Sequence, residues 1–143
     1  MRILVAYDGT DGAREALRVA HGIAQPSRGE LVVCWVMNPR IDAADIVAAT
    51  TDEAMKQVEA DASAAIDEAL AGLETSATVR IETVARGEDV AEHLARVTAE
   101  EQATLVAIAS RRAVGLRGAL MGSVAQEVLR LSPCPVVIVR PPD

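Results

Sequence analysis

The chain has 143 residues, a mass of 15.0 kDa and a formal net charge of −7. Half of it is hydrophobic and 24% is charged, a composition that builds a core and excludes a disordered chain. The acidic balance, with a pI of about 4.8, argues against nucleic acid as a partner, and no apolar run approaches the roughly 20 residues of a membrane span.

Short apolar runs alternate with helical stripes. Ile3-Leu4-Val5-Ala6 reads as a strand and Asp8-Gly9-Thr10-Asp11-Gly12 as the loop that follows it. Asp8 interrupts the opening apolar run too early for a secretory leader, so a cytoplasmic location is expected. Ala13, Ala16, Leu17, Ala20 and Ile23 recur at helical spacing until Pro26-Ser27-Arg28-Gly29 turns the chain. Leu31 to Val36 is the second strand, closed by Asn38-Pro39. After a long connection, Thr50 with Glu53 has the pattern of a capping box. Met55, Val58, Ala62, Ile66, Ala69 and Leu73 then mark one face of a helix.

In the second half, Val79, Ile81 and Thr83 alternate with Arg80 and Glu82, which predicts an edge strand with one wet face. Gly87 opens a helix that turns Val90, Leu94 and Val97 inward. Leu105 to Ile108 is apolar without interruption, as a strand buried on both faces should be. Ser110 to Met121 carries Gly115, Gly118 and the arginines Arg111, Arg112 and Arg117. Gly122-Ser123 opens a helix with Val124, Val128 and Leu131 on its inner face. Pro133-Cys134-Pro135 ends it, and Val136 to Val139 is the last strand. Strands separated by helices predict one α/β domain over residues 1–143, an open parallel sheet with helices on both faces.

Open parallel sheets bind ligands at the carboxyl ends of their strands, where strand order reverses. The polar residues of this chain gather at those ends: Asp8 and Thr10 after the first strand, Asn38 after the second, and Ser110, Arg111 and Arg112 after the fourth. Gly122-Ser123 begins the last helix, whose free amides and dipole suit a phosphate. A nucleotide fits this layout, with phosphates at the last loop and base near the second strand. Each feature also has a plain structural use: Asp8 as a turn former, Ser123 as a helix cap, the arginines as a solvated loop.

Other chemistry finds little footing. Tyr7 and Trp35 are the whole aromatic complement, too few for an aromatic cage or a platform for single-stranded nucleic acid. Cys34 and Cys134 are expected to be free thiols, and with His21 and His93 they lack the close spacing of a zinc site. Both histidines fall inside predicted helices with no partner visible nearby in sequence, so they read as structural. No nucleophile–base pair, Gly-x-Ser-x-Gly elbow, paired carboxylates or Gly-Lys-Ser/Thr phosphate loop is present. A response-regulator receiver domain needs an acidic pair after the first strand and an aspartate after the third. Here Asp8 stands alone after the first strand, and Asp89 already belongs to a helix start.

Two stretches resemble the universal stress protein family. One is the opening Ile3-Leu4-Val5-Ala6-Tyr7-Asp8-Gly9-Thr10; the other is Gly122 to Arg130 running into Ser132-Pro133-Cys134-Pro135 and Val136 to Val139. The resemblance covers essentially the whole chain. It implies a five-stranded parallel sheet in the order 3-2-1-4-5 and a homodimer through the last strand. Members that bind ATP carry Gly-x-x-Gly, nine residues, then Gly-Ser or Gly-Thr. Gly122 and Ser123 supply the final pair, while Ala109 and Arg112 stand at the first two glycine positions with the spacing intact. Asp8 matches the acidic residue facing the ribose, and Val36 the position whose backbone meets adenine. The resemblance thus implies ATP, with Mg²⁺, at Asp8, Thr10, Val36, Ala109, Ser110, Arg112, Gly122, Ser123 and Val124. With no dedicated base visible in the sequence, any hydrolysis is expected to be slow. Arg112 either fills the phosphate region or binds phosphate through its guanidinium. The alternative is a dimeric stress protein that binds no nucleotide and acts through protein partners. Under that strand order the flat apolar run Val136 to Val139 is a sheet edge that needs cover, here by a second copy of the chain.

Overall fold

Strand β1 (Arg2–Ala6) lies at the centre of a five-stranded parallel sheet, with β2 (Glu30–Met37) on one side and β4 (Leu105–Ala109) on the other. The edges are β3 (Thr78–Thr83), paired with β2, and β5 (Val136–Val139), paired with β4, so the order is β3-β2-β1-β4-β5. The computed structural model describes residues 1–38, 52–110 and 121–141. The connecting helices are α1 (Asp11–Ala24), α2 (Asp52–Gly72), α3 (Val90–Glu100) and α4 (Ser123–Leu131). Thr50 of the expected capping box lies outside the described residues.

Side chains alternate across each strand, so every central strand feeds two cores. Ile3 and Val5 of β1, Val33 of β2 and Ala107 of β4 pack with Ala13, Ala16, Leu17 and Ala20 of α1 and Ile66 and Leu70 of α2. Leu4, Val32, Cys34, Val106 and Ile108 face the other way, onto Leu94 and Val97 of α3 and Ala125 and Val128 of α4. The small residues of α1 let its backbone lie close to the sheet. Ile66 is wholly removed from water, a burial that contributes on the order of 2–3 kcal/mol.

The helix ends follow their local chemistry. Thr10 caps α1, its Oγ1 accepting from the Ala13 amide at 3.2 Å. The helix runs into a short 3₁₀ turn at Gln25–Ser27, and Arg28 then adopts a left-handed conformation with φ 51°. Asp89 caps α3 by accepting from the Glu92 amide at 2.8 Å, so the helix begins at Val90 rather than at Gly87. Gly122 is the cap of α4, with no side chain bonded to the helix end. Ser123 is therefore the first helical residue and not the capping hydroxyl.

Strand β3 reverses one expectation. Its charged residues do not form the wet face: Arg80 and Glu82 are half-buried beneath α3, while Val79 on the other face is 37% exposed. Ion pairing with α3 makes the polar side the covered one.

Candidate functional site

The carboxyl ends of β1, β2 and β4 open into a cavity of about 720 Å³. That volume lies within the range of roughly 300–1,000 Å³ usual for small-molecule sites. Its position is set by topology: β1 connects outward to β2 while β4 lies on its other flank, so the flanking loops diverge and leave a crevice. Among the residues singled out from sequence, Asp8, Thr10, Val36, Ala109, Ser110, Gly122 and Val124 line it. Ser123 does not, because it is already turned into the first helical position. Arg112, with Arg111 and Arg117, lies outside the described residues.

The polar residues of the rim are partly committed to structure. Asp8 Oδ1 accepts from the Thr10 amide at 3.1 Å and from Thr10 Oγ1 at 2.6 Å. The loop is thereby locked, with Thr10 both ligand-facing and capping α1. Ser110 is buried, its amide donating to the Val139 carbonyl at 2.8 Å, which ties the end of β4 to the end of β5. The α4 amides carry no side-chain cap, and their positive dipole end opens beside the cavity.

Ala109 is absorbed by its surroundings. A Cβ placed on Gly12 would lie 3.1 Å from the Ala109 Cβ and 3.5 Å from Pro141 Cγ. The Ala109 methyl therefore points to the start of α1, where the absence of a side chain at Gly12 leaves room for it.

Sequence reasoning missed part of the wall. Cys34, Trp35, Leu94 and Ile108 line the cavity as well as filling the core. The continuous apolar runs of β2 and β4 and the helical stripe of α3 mark them as buried but not as open to the top of the sheet. Burial pushes the Cys34 thiol up to about 12, so it is no nucleophile at neutral pH. Cys34 and Cys134 are both free.

His93 departs from the reading of a histidine without partners. It is 2% exposed, with Nδ1 2.7 Å from Glu88 Oε2 and Nε2 3.1 Å from Glu82 Oε1. Arg96 Nε donates to the other Glu88 oxygen at 3.1 Å and its Nη1 to Glu100 at 2.7 Å. Arg80 donates to Glu82, to Glu100 at 2.8 Å and to Glu101 at 3.1 Å. Glu88 also accepts from the Ala85 amide at 3.0 Å, which fixes the loop ahead of α3. The Arg96 guanidinium, with that amide and His93, holds the Glu88 carboxyl down to about 2. Burial pushes the Glu82 carboxyl up, but its bonds to Arg80 and His93 outweigh that and leave it below its usual value. Glu88 comes from the loop ahead of α3, whereas Glu82 and Arg80 come from β3, 11 residues from His93 for Glu82, so the contacts across to β3 show in no local spacing.

A parallel sheet in this order, with a crevice between β1 and β4 and an uncapped helix start beside it, defines an α/β protein with an open cavity at the carboxyl end of its sheet. Within that class the chain belongs to the universal stress protein family, whose sequence pattern matches residues 1–140. Universal stress protein YxiE of Bacillus subtilis (strain 168) is 27% identical over 146 residues, spanning 97% of this chain and 98% of its own. Among solved structures, hypothetical protein MJ0577 superposes with a TM-score of 0.79 at 19% identity, covering 99% of this chain and 96% of its own. The universal stress protein from Archaeoglobus fulgidus in complex with dAMP gives a TM-score of 0.67 at 22% identity, covering 97% of each chain. At these identities the structural likeness establishes the fold. Among the described residues, no helix is long and apolar enough to cross a membrane, and no group of three or more His, Cys, Asp or Glu residues could hold a metal ion.

Proposed function

We propose that this protein is a small regulator that binds ATP or a related adenine nucleotide in the cavity over β1, β2 and β4. One observation carries the reading: the residues matched to the family's nucleotide contacts, from Asp8 and Val36 to Ala109, Gly122 and Val124, line one cavity of suitable size. The family relative from Archaeoglobus fulgidus that binds dAMP supports an adenine base. In this reading the apolar wall takes the base, Asp8 faces the ribose, and the free amides at Gly122 and Ser123 take phosphate. Among the described lining residues Asp8 is the sole carboxylate, so Mg²⁺ would arrive on the phosphates rather than on a built metal site. The protein has no dedicated base for hydrolysis in this reading and acts by binding. Free thiols at Cys34 and Cys134 fit a cytoplasmic setting.

Calorimetric titration with ATP and Mg²⁺ tests the proposal. Saturable binding is expected, and a flat titration up to millimolar ATP rejects it. A second reading rests on Ala109 and Arg112 at the family's glycine positions: a stress protein that binds no nucleotide and works through protein partners. Under it, the wild type is silent and the Ala109→Gly/Arg112→Gly double variant gains ATP affinity.

In either reading the protein is a homodimer paired along β5. That strand is a sheet edge whose Val136, Val137 and Ile138 remain only partly covered. Sedimentation that shows a monodisperse monomer at micromolar concentration removes this element.

A further inference from the structure

The protein has one tryptophan, one tyrosine and no phenylalanine. Both rings line the same cavity. Their centroids are 5.8 Å apart with planes inclined at 57°, so they meet as a corner. The remaining core is aliphatic, and packing there requires no aromatic side chain. The backbone beneath the corner is shaped to admit it. Gly9 takes φ +80°, and a Cβ added to it would lie 2.9 Å from Trp35 Cη2 and 3.4 Å from Cζ3. The six-membered ring of Trp35 therefore rests on bare backbone of the loop that carries Asp8 and Thr10. Tyr7 is held firmly: it is 3% exposed, and its amide donates to the Cys34 carbonyl at 2.9 Å. Its hydroxyl is the sole buried side-chain polar atom without a hydrogen-bond partner among the described residues. Burial pushes that phenol up, and the Arg14 guanidinium, which also donates to the Gly9 carbonyl at 3.0 Å and to Asp11 at 2.9 Å, pulls against the shift.

We infer that Trp35, propped by Tyr7 and seated on Gly9, is the wall against which the planar base of the ligand lies. The site then selects base-bearing nucleotides over phosphate or polyphosphate alone. This deepens the nucleotide reading and rests on it. The physical reason is that an indole face offers a flat, polarisable surface to any base, while the aliphatic remainder of the wall offers contact without orientation. Trp35 and Val36, neighbours on β2, project to opposite faces of the sheet, and the cavity reaches both over its open end. A base entering there meets the indole from one side and aliphatic side chains from the other.

The single tryptophan makes the test direct. Wild type, Trp35→Phe and Trp35→Leu are titrated with ATP and with inorganic tripolyphosphate by calorimetry, and wild-type tryptophan emission is followed in parallel. Far-ultraviolet circular dichroism checks that each variant is folded. ATP is expected to change the emission and tripolyphosphate to leave it unchanged. Trp35→Leu should weaken ATP by about tenfold or more, in line with the loss of one base–aromatic contact, with tripolyphosphate unaffected. Trp35→Phe, which keeps a ring, should recover most of the loss. If ATP binds wild type with no change in emission and Trp35→Leu binds it equally well, the stacking wall is overturned and nucleotide binding stands. If tripolyphosphate binds as tightly as ATP, selection for the base is overturned. If ATP gives no heat with wild type, both readings fall together.

Discussion

The cavity over β1, β2 and β4 and the corner where β3 meets α3 are built from opposite materials. The described cavity wall is Tyr7, Trp35, Val36, Leu94, Ile108 and their neighbours, with Asp8 its sole ionised group. The corner joins Arg80, Glu82, Glu88, His93, Arg96, Glu100 and Glu101 in one continuous set of hydrogen bonds. Taken as a list of residues, the corner looks like the reactive place, because it holds a buried histidine between two carboxylates. Its bonding states the opposite. Each of those charged groups already has a partner within the chain, so none is left for a ligand without breaking an existing bond. The cavity has room and an uncapped helix start. In this molecule, completed bonding marks the corner as scaffold, and the cavity is where a ligand is proposed to bind.

The strongest way to break that comparison is at His93. His93→Ala opens a void and strips Glu82 and Glu88 of a shared partner, and the expected loss of stability is about 3 kcal/mol. Urea denaturation measures it. ATP affinity of the folded variant should change by no more than about twofold, since scaffold and site are then separate. A larger change would make the corner part of the site.

Gly9→Ala has a smaller effect on folding but falls on the other side of the comparison. A side chain at φ +80° costs about 1–2 kcal/mol, and its Cβ would push on the Trp35 ring. Reduced thermal stability should come with a shift in tryptophan emission and weaker ATP binding. Stability loss alone would separate Gly9 from the ligand wall.

Acid sharpens the picture of the corner. The Glu88 carboxyl lies lowered from 4.5 to about 2, so its contribution is complete above 4.5 and is lost as pH falls towards about 2. Stability measured by urea over that interval should fall with a steeper slope in wild type than in Glu88→Gln. Equal slopes would mean that the bonds from Arg96, Ala85 and His93 do not hold this carboxylate in solution.

The smallest effect is expected on the exposed face of α4, where Arg130 meets Glu127 at 2.6 Å. Glu127→Gln should leave the urea midpoint unchanged, because solvent screens an exposed pair. A measurable shift there would show that pairing alone, without burial, carries weight in this protein, and would weaken the distinction drawn for the corner.

The sheet and its helices were legible because hydrophobic period reports burial directly. The uninterrupted run at Leu105 to Ile108 could belong only to an element covered on both faces, and β4 is one. Asp8, Asn38 and Ser110 were legible as residues of the cavity rim because polar groups at the ends of parallel strands face the crevice, whereas Val36 was legible only through the family resemblance. The roles of neighbouring residues were harder to read. Gly122 and Ser123 are adjacent, and sequence treats them as one motif, but Gly122 is the helix cap and lines the cavity, while Ser123 is the first helical residue and is not among the lining residues. Ala109 adds a methyl at a glycine position, and only the structure shows that Gly12, far away in sequence, leaves space for it.

The sequence by itself therefore determined the alternation of elements, the parallel sheet, the two apolar layers and the end of the sheet at which the cavity opens. All of these depend on repeating patterns or on short motifs, which are local. Only the tertiary structure decided that the polar face of β3 is the covered one, that His93 is bonded on both ring nitrogens, and that Tyr7 and Trp35 share a corner over Gly9. Each of those is a meeting of residues from different elements. The packing free energy that selects such meetings depends on distances and directions, and residue order along the chain does not carry them.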